Sequence, residues 1–270
     1  MRIHWHRRDL RAADNRALAA AVEDDSVIPA FVFDPDVLQY ASPPRVAFLL
    51  DALDSLRGCY RERGGDLVVV EGDPAEELPR IADEHGVDAV FWNHDYTGLA
   101  QERDQRVREA LDDAGIAREE FHDAVHHEPG TITTNDGDPY SVFSYFGDKW
   151  LDREKAEPYP VPDGDALAAI EGETMPTIGE LGFDDPTADI PKAGIEAARE
   201  RLEAFCGERI FEYDEGREYP ARAGTSRLSQ DLNYGIIGER EGHRAGRRGA
   251  RRCRRRGARS GRGLSPRAGL

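Results

Sequence analysis

The run GTSRLS, from Gly224 to Ser229, sets hydroxyls and backbone N–H donors at the head of a helical pattern, with Arg227 among them. Helix amino ends attract phosphate, because their unpaired N–H groups and the helix dipole favour negative charge. The run therefore reads as a phosphate-binding loop or as a plain helix cap. Two further stretches combine groups that could hold a ligand. HRRDLRAADN (His6–Asn15) couples Arg7, Arg8 and Arg11 to Asp9 and Asp14, and NHDYTGLAQERD (Asn93–Asp104) gathers His94, Asp95 and Tyr96. Asp14 is placed to cap the helical pattern NRALAAAV. Neither a GxGxxG turn nor a P-loop follows the first strand-like run, which disfavours an ordinary dinucleotide or NTP site.

These residues need a frame to bring them together. RIHW (Arg2–Trp5), VIPAFVF (Val27–Phe33), LVVVEG (Leu67–Gly72) and VDAVFWN (Val87–Asn93) are short, β-branched and aromatic, as strands buried on both faces are. Between them run helical patterns. One opens at Pro43-Pro44, carries Val46, Leu49, Leu50, Leu53, Leu56 and Tyr60 on one stripe, and closes at Gly64-Gly65. Another begins at Asp73-Pro74 and stops at His85-Gly86. Repeated strand–helix–strand units predict an α/β fold, a Rossmann-like parallel sheet with flanking helices, over residues 1–130. The ligand stretches then follow the carboxyl ends of the first and fourth strands, where such sheets bind ligands.

From 131 to 191 the text turns to Pro, Gly, acids and unperiodic aromatics, and reads as a long linker between domains. Helical pattern returns over 192–241, with Ile195, Ala198, Leu202 and Phe205 on one face. It reads as the incomplete start of an all-α domain. Left so, it would expose a large apolar face from Ile195 to Tyr234. Residues 242–270 hold eleven Arg and no acid, and are expected to be a disordered tail. Against 36 Lys+Arg and 53 Asp+Glu in all, residues 1–241 carry 25 basic and 53 acidic side chains, a net charge of −28. A surface so acidic and so poor in lysine suits a salty cytoplasm, though an ordinary acidic protein shares it. Cys59, Cys206 and Cys253 form no CxxC pair, so no metal site is expected. With no signal-like amino terminus and no apolar run of membrane-spanning length, a cytoplasmic monomer without a membrane partner is expected.

Taken together, WHRRDLRAADNRAL, EPGTITTNDGDPYSVFSYFGDKW and YDEGREYPARAGTSRLSQDLNYGIIGERE resemble, in order, three motifs of the photolyase/cryptochrome flavoproteins. They span nearly all of residues 1–241. Ser144-Tyr145-Phe146 departs from the family's usual T-P-F, so the linker path is less constrained here. The resemblance implies that Tyr213, Thr225, Ser226, Arg227, Leu228 and Ser229 bind FAD, with the hydroxyls and Arg227 on its diphosphate. It implies a second, light-gathering pigment in the α/β domain, 8-hydroxy-5-deazaflavin or methenyltetrahydrofolate, near Arg8, Asp9, Asn93, His94, Asp95 and Tyr96. As ligands, His94, His126 and His127 have only a weak claim, since surface or satisfied loop histidine accounts for them.

The family reaction is light-driven electron transfer from reduced FAD to a cyclobutane pyrimidine dimer flipped out of DNA. No catalytic residue is assigned, because the resemblance stops at Gly242. Arg, Gly and Ala are what a GC-rich gene read in a shifted frame encodes. A frameshifted end, with a truncated chain that repairs no DNA and holds no stable FAD, is the expectation. The competing readings are a flavin photoreceptor of the same family that repairs nothing, and a stand-alone pigment- or nucleotide-binding module whose basic tail binds nucleic acid.

Overall fold

The computed structural model describes residues 1–207 and 209–260, the stretch 250–260 by its backbone alone. Five strands form one parallel sheet: β1 (Arg2–His6), β2 (Val27–Phe33), β3 (Val68–Glu71), β4 (Ala89–Asn93) and β5 (Ala117–Phe121), in the order β3-β2-β1-β4-β5. The helices α1 (Arg16–Ala21), α2 (Pro35–Leu38), α3 (Pro43–Arg61), α4 (Pro74–His85) and α5 (Gly98–Asp113) connect them. Every residue of β2 is buried, as its unbroken apolar text requires of a strand covered on both faces. Leu18, Phe31, Leu49, Leu53 and Leu56 belong to one core, and Trp5, Ile28, Leu78, Ile81 and Trp92 to a second. The α/β fold expected from the pattern is the fold observed. The fifth strand, AREEF, escaped sequence reading because it is a polar, partly exposed edge.

Local signals set the helix ends. Asp73 accepts a hydrogen bond from the Ala75 N–H at 3.0 Å, Pro74 opens α4, and Gly86 closes it in the left-handed region at φ 65°. At α1 the expectation needs correction. Asn15, not Asp14, is the cap: its Oδ1 accepts from the Leu18 N–H at 3.1 Å. Asp14 sits at φ 53° and turns its carboxylate the other way.

The stretch 131–191 is less of a free span than its composition suggested. It contains α6 (Phe143–Asp152), and a later part is fastened to the sheet. Leu167 bridges to Val27, and the Ala168 N–H donates to the Val27 carbonyl at 2.9 Å. Nearby, the buried Asp66 carboxylate accepts from Arg57 at 2.7 Å, from Arg61, and from the Gly172 N–H at 3.0 Å. Although burial opposes it, those donors hold the Asp66 carboxyl well below the usual range.

Four helices follow: α7 (Ile195–Gly207), α8 (Tyr213–Gly216), α9 (Ser229–Asn233) and α10 (Glu239–Ser260). Two expectations change here. The apolar face from Ile195 to Tyr234 is largely covered, with Leu202, Cys206, Leu228, Ile236 and Ile237 buried in the core that includes α3. Phe211, Tyr219 and Leu232 of that segment stay exposed, and further uncovered apolar surface lies on α6, where Phe143 is 80% and Tyr145 64% exposed. Residues 242–260, expected to be disordered, continue the helix α10. Arg and Ala are good helix formers, and Glu239 and Glu241 sit in the first turn, where negative charge is favoured. The rest of that expectation, residues 261–270, lies outside the described residues.

A buried set of ions joins the two parts. Arg11 and Arg240 both donate to Asp123. Arg240 also donates to Asp14, whose other oxygen accepts from the Glu241 N–H at 3.0 Å and so caps α10. Arg11 reaches the carbonyls of Asp14 and Gly235, each at 2.9 Å. Burial alone would lower the pKa of Arg240, but Asp123 and Asp14 raise it, so it stays charged. Removing one member strands its partners without solvent. Asp123→Ala should therefore cost about 3–5 kcal/mol in urea unfolding. A loss below about 1 kcal/mol would mean that the set does not hold the parts together.

Candidate functional site

Strand order reverses between β1 and β4, so the loops after those strands diverge and leave a crevice at their carboxyl ends. A cavity of about 270 Å³ lies there, and its walls include Arg8, Asp9, Asn93, His94, Asp95 and Tyr96. The structure thus brings together all six residues expected near a pigment, but it gives them different tasks. Asp9 is buried and consumed: it accepts from the Arg7 N–H at 2.8 Å, from Asn93 Nδ2 at 2.6 Å and from Asn15 Nδ2 at 3.1 Å. Its pKa lies well below the usual value; burial would raise it, and hydrogen bonds to His4 and His6 outweigh that. Asn93 is equally occupied, since it also donates to Asn15 at 2.8 Å and accepts from the Ala17 N–H. These two hold the loop together as well as lining the cavity.

Arg8, Asp95 and Tyr96 remain toward the solvent side. Arg8 donates to Asn233 at 2.8 and 2.9 Å and lies 3.8 Å from Asp95. The Tyr96 hydroxyl meets His122 Nδ1 at 2.8 Å, and the rings of Tyr96, His94 and His122 pile against one another. Burial lowers the pKa of His94, and Glu120, 3.4 Å away, opposes that shift.

Beside this cavity lies another of about 290 Å³, at the ends of β1 and β2. Phe33, Tyr40, Leu49 and Tyr234 give it apolar walls, while Arg45 and Arg103 supply charge. Asp34 lines it too. One Asp34 oxygen caps α2 by accepting from the Asp36 N–H at 2.9 Å, while the other is buried without a partner. Burial raises the Asp34 pKa. An orphaned acceptor between aromatic walls fits a flat ligand carrying an N–H or O–H donor. Sequence reading missed this cavity because its residues come from four separate segments, and Asp34 was one acid among many.

The Thr225–Ser229 run divides in two. Leu228 is buried in the core, so its side chain anchors the run. Thr225, Arg227 and Ser229 are exposed, Ser226 is half-buried, and Ser229 heads a helix of only five residues. The backbones of Gly216 and Gly224 touch, so no side chain fits at Gly224, and this contact sets the run beside α8, which Tyr213 begins. Tyr213 meets Phe205 edge to face at 5.9 Å, with Arg217 over its ring. The run thus offers hydroxyls and an exposed guanidinium, groups that pair with phosphate.

A family model described as DNA photolyase matches residues 2–163. The chain belongs to the DNA photolyase family. It is 50% identical over 261 residues to a deoxyribodipyrimidine photo-lyase of Halobacterium salinarum, covering 91% of this chain and 54% of that one. It is 40% identical over 246 residues to an uncharacterized 31.6 kDa protein of Synechococcus, covering 89% of this chain and 87% of that one. In three dimensions it is similar to a bacterial class III photolyase from Agrobacterium tumefaciens, with TM-score 0.79, 28% identity, and 90% and 52% of the two chains covered. It thus spans about half the length of the photolyases that it matches.

Two further features of this photolyase-family chain bear on its stability. His126, His127 and His243 surround Trp150, with ring centroids 5.4 to 6.2 Å from the indole. His126 and His127 are half-buried, and His126 Nδ1 and His127 Nε2 have no hydrogen-bond partner among the described residues. Burial, then His243 and Arg240, lowers the pKa of His126 to about 4; burial, then His6, does the same for His4 beneath the crevice. Both must be neutral in the fold but protonate near 6.5 when unfolded. Their contribution to stability is thus full above pH 6.5 and is lost as pH falls toward 4. Melting temperature should drop between pH 7 and pH 5, and His126→Gln should flatten part of that drop.

The second feature is Arg227, which has φ 54° although it is neither glycine nor asparagine. Such a conformation costs about 1–2 kcal/mol, and glycine's greater chain entropy offsets part of the relief. Arg227→Gly should therefore stabilise the chain by about 0.5–1 kcal/mol in urea unfolding. No gain would show that the strained turn is not held against its own preference.

Proposed function

We propose that this chain carries the pigment-binding part of a deoxyribodipyrimidine photolyase, a light-driven, FAD-dependent enzyme that splits cyclobutane pyrimidine dimers in DNA. The cavity beside the topological switch, with its orphaned Asp34 oxygen, is the observation that carries the reading. An antenna pigment, 8-hydroxy-5-deazaflavin or methenyltetrahydrofolate, would lie between Phe33, Tyr40 and Tyr234 and give a donor to Asp34. Arg45 and Arg103 would balance a negatively charged tail. Arg8 and Asp95 stand at the border between the two cavities and would fix the pigment's outer end.

FAD would supply the electron for repair. Thr225, Ser226 and Arg227 would hold its diphosphate, and Tyr213 would stand beside them. This is one wall of a cradle, and binding through it alone would expose most of the cofactor to water. On this reading the chain would hold flavin only weakly through its described residues. It acts as a cytoplasmic monomer whose family partner is dimer-containing DNA.

Purified chain should show no stoichiometric flavin absorbance, yet should bind added deazaflavin or folate pigment with a change in its fluorescence. Asp34→Asn exchanges the charged acceptor for a weaker neutral one and should reduce pigment affinity by about tenfold or more. Stoichiometric bound FAD, or pigment affinity indifferent to Asp34→Asn, would overturn the corresponding half of this reading.

A further inference from the structure

We propose that the arginine face of α10 binds the phosphate backbone of nucleic acid without regard to base sequence. The helix is sorted lengthwise. Arg244, Arg247 and Arg248 recur at three- and four-residue spacing, and the sequence continues that spacing through Arg251, Arg252, Arg255, Arg256 and Arg259. Between them, Ala245, Gly246 and Gly249 occupy the other side. Gly246 and Gly249 are buried, and a Cβ at Gly249 would run into the Cys206 backbone of α7. The small residues let α10 lie close on α7, while Arg244, Arg247 and Arg248 are exposed. Arg244 meets Glu157 at 3.4 Å, a solvated pair of little strength.

The spacing of charge selects the partner. Nine arginines lie between 244 and 259, a stretch of roughly 24 Å at about 1.5 Å per residue. Per length of helix axis that is one basic residue every 2–3 Å or so, comparable to the roughly 1.7 Å per phosphate along a duplex axis. Guanidinium groups also grip phosphate through two parallel hydrogen bonds. A membrane surface fits less well. An interfacial helix needs large apolar residues opposite its charges, and α10 has none from Glu239 to Ser260. A second copy of the chain is acidic too, and the test below distinguishes it.

The neighbourhood adds to the positive field. Burial, followed by Arg247, lowers the pKa of Lys155, and burial, Arg247 and Lys155 lower that of His243. A polyanion on this face would relieve that crowding. The surface is separate from the crevice at the strand ends and from Thr225–Ser229, so it requires neither pigment nor FAD.

The test is anisotropy titration of the full chain against a labelled mixed-sequence DNA duplex free of pyrimidine dimers. Salt is varied, and circular dichroism confirms the fold at each step. If six or more phosphates are engaged, log K against log salt should fall with a slope of about −5 or steeper. Arg247→Glu with Arg248→Glu should weaken binding by about tenfold or more and flatten the slope. Arg247→Gln with Arg248→Gln is the substitute should reversal disturb the helix. Two unrelated sequences, and a duplex containing a dimer, should bind equally well. A folded chain that ignores the duplex overturns the proposal, as does binding indifferent to the variants. Low-salt oligomers in sedimentation, lost in the variants and unaffected by DNA, would assign the face to a second copy.

Discussion

Four buried ions decide how this molecule is put together. Asp14 and Arg11 come from the loop after β1, Asp123 from just beyond β5, and Arg240 from the first turn of α10. Each charge has lost its water and keeps its energy only through the others. Such a cluster offers little net stability over apolar packing, but it tolerates no partial assembly. It therefore fixes the register between sheet and helices. The glycines around it follow from that demand. Gly235 runs against the Arg8 carbonyl and Gly238 against the Asp14 carboxylate, too close for any side chain. Because Arg11, Asp123 and Gly235 also line the crevice, the cluster that joins the parts shapes the site between them.

Much of the frame could be read from the chain. VIPAFVF matches β2 residue for residue, and the Asp73-Pro74 and Gly86 signals bound α4 as expected, because caps and fully apolar runs act locally. The failures share another cause. AREEF has a strand's pairing without a strand's text, since an edge needs only one neighbour. Asp14 and Asn15 are both good caps by type, and the Arg240 guanidinium, 226 residues away, decides which one serves α1. No local pattern carries that information.

The site was half legible in the same sense. Arg8, Asp9, Asn93, His94, Asp95 and Tyr96 do line one crevice, because β1 and β4 are neighbours and their following loops flank it. Which of them are free was hidden, since Asp9 and Asn93 are used up by hydrogen bonds to Asn15, Arg7 and Ala17. The neighbouring cavity draws on β1, β2, α3 and the loop after α9, so Asp34 and Tyr234 gain meaning only when folded together. The arginine tract misled by composition. Read as a tally it is a disordered arm; read in steps of three and four it is a two-sided helix.

The fastening of Leu167 to Val27 and of Gly172 to Asp66 reaches beyond stability. Excitation passes between two chromophores at a rate that depends steeply on their separation and relative orientation. A slack tether between sheet and helices would smear both quantities. Pinned at Leu167 and Gly172, the connection is held at two points, so ligands seated on either side of it would keep a more constant mutual alignment.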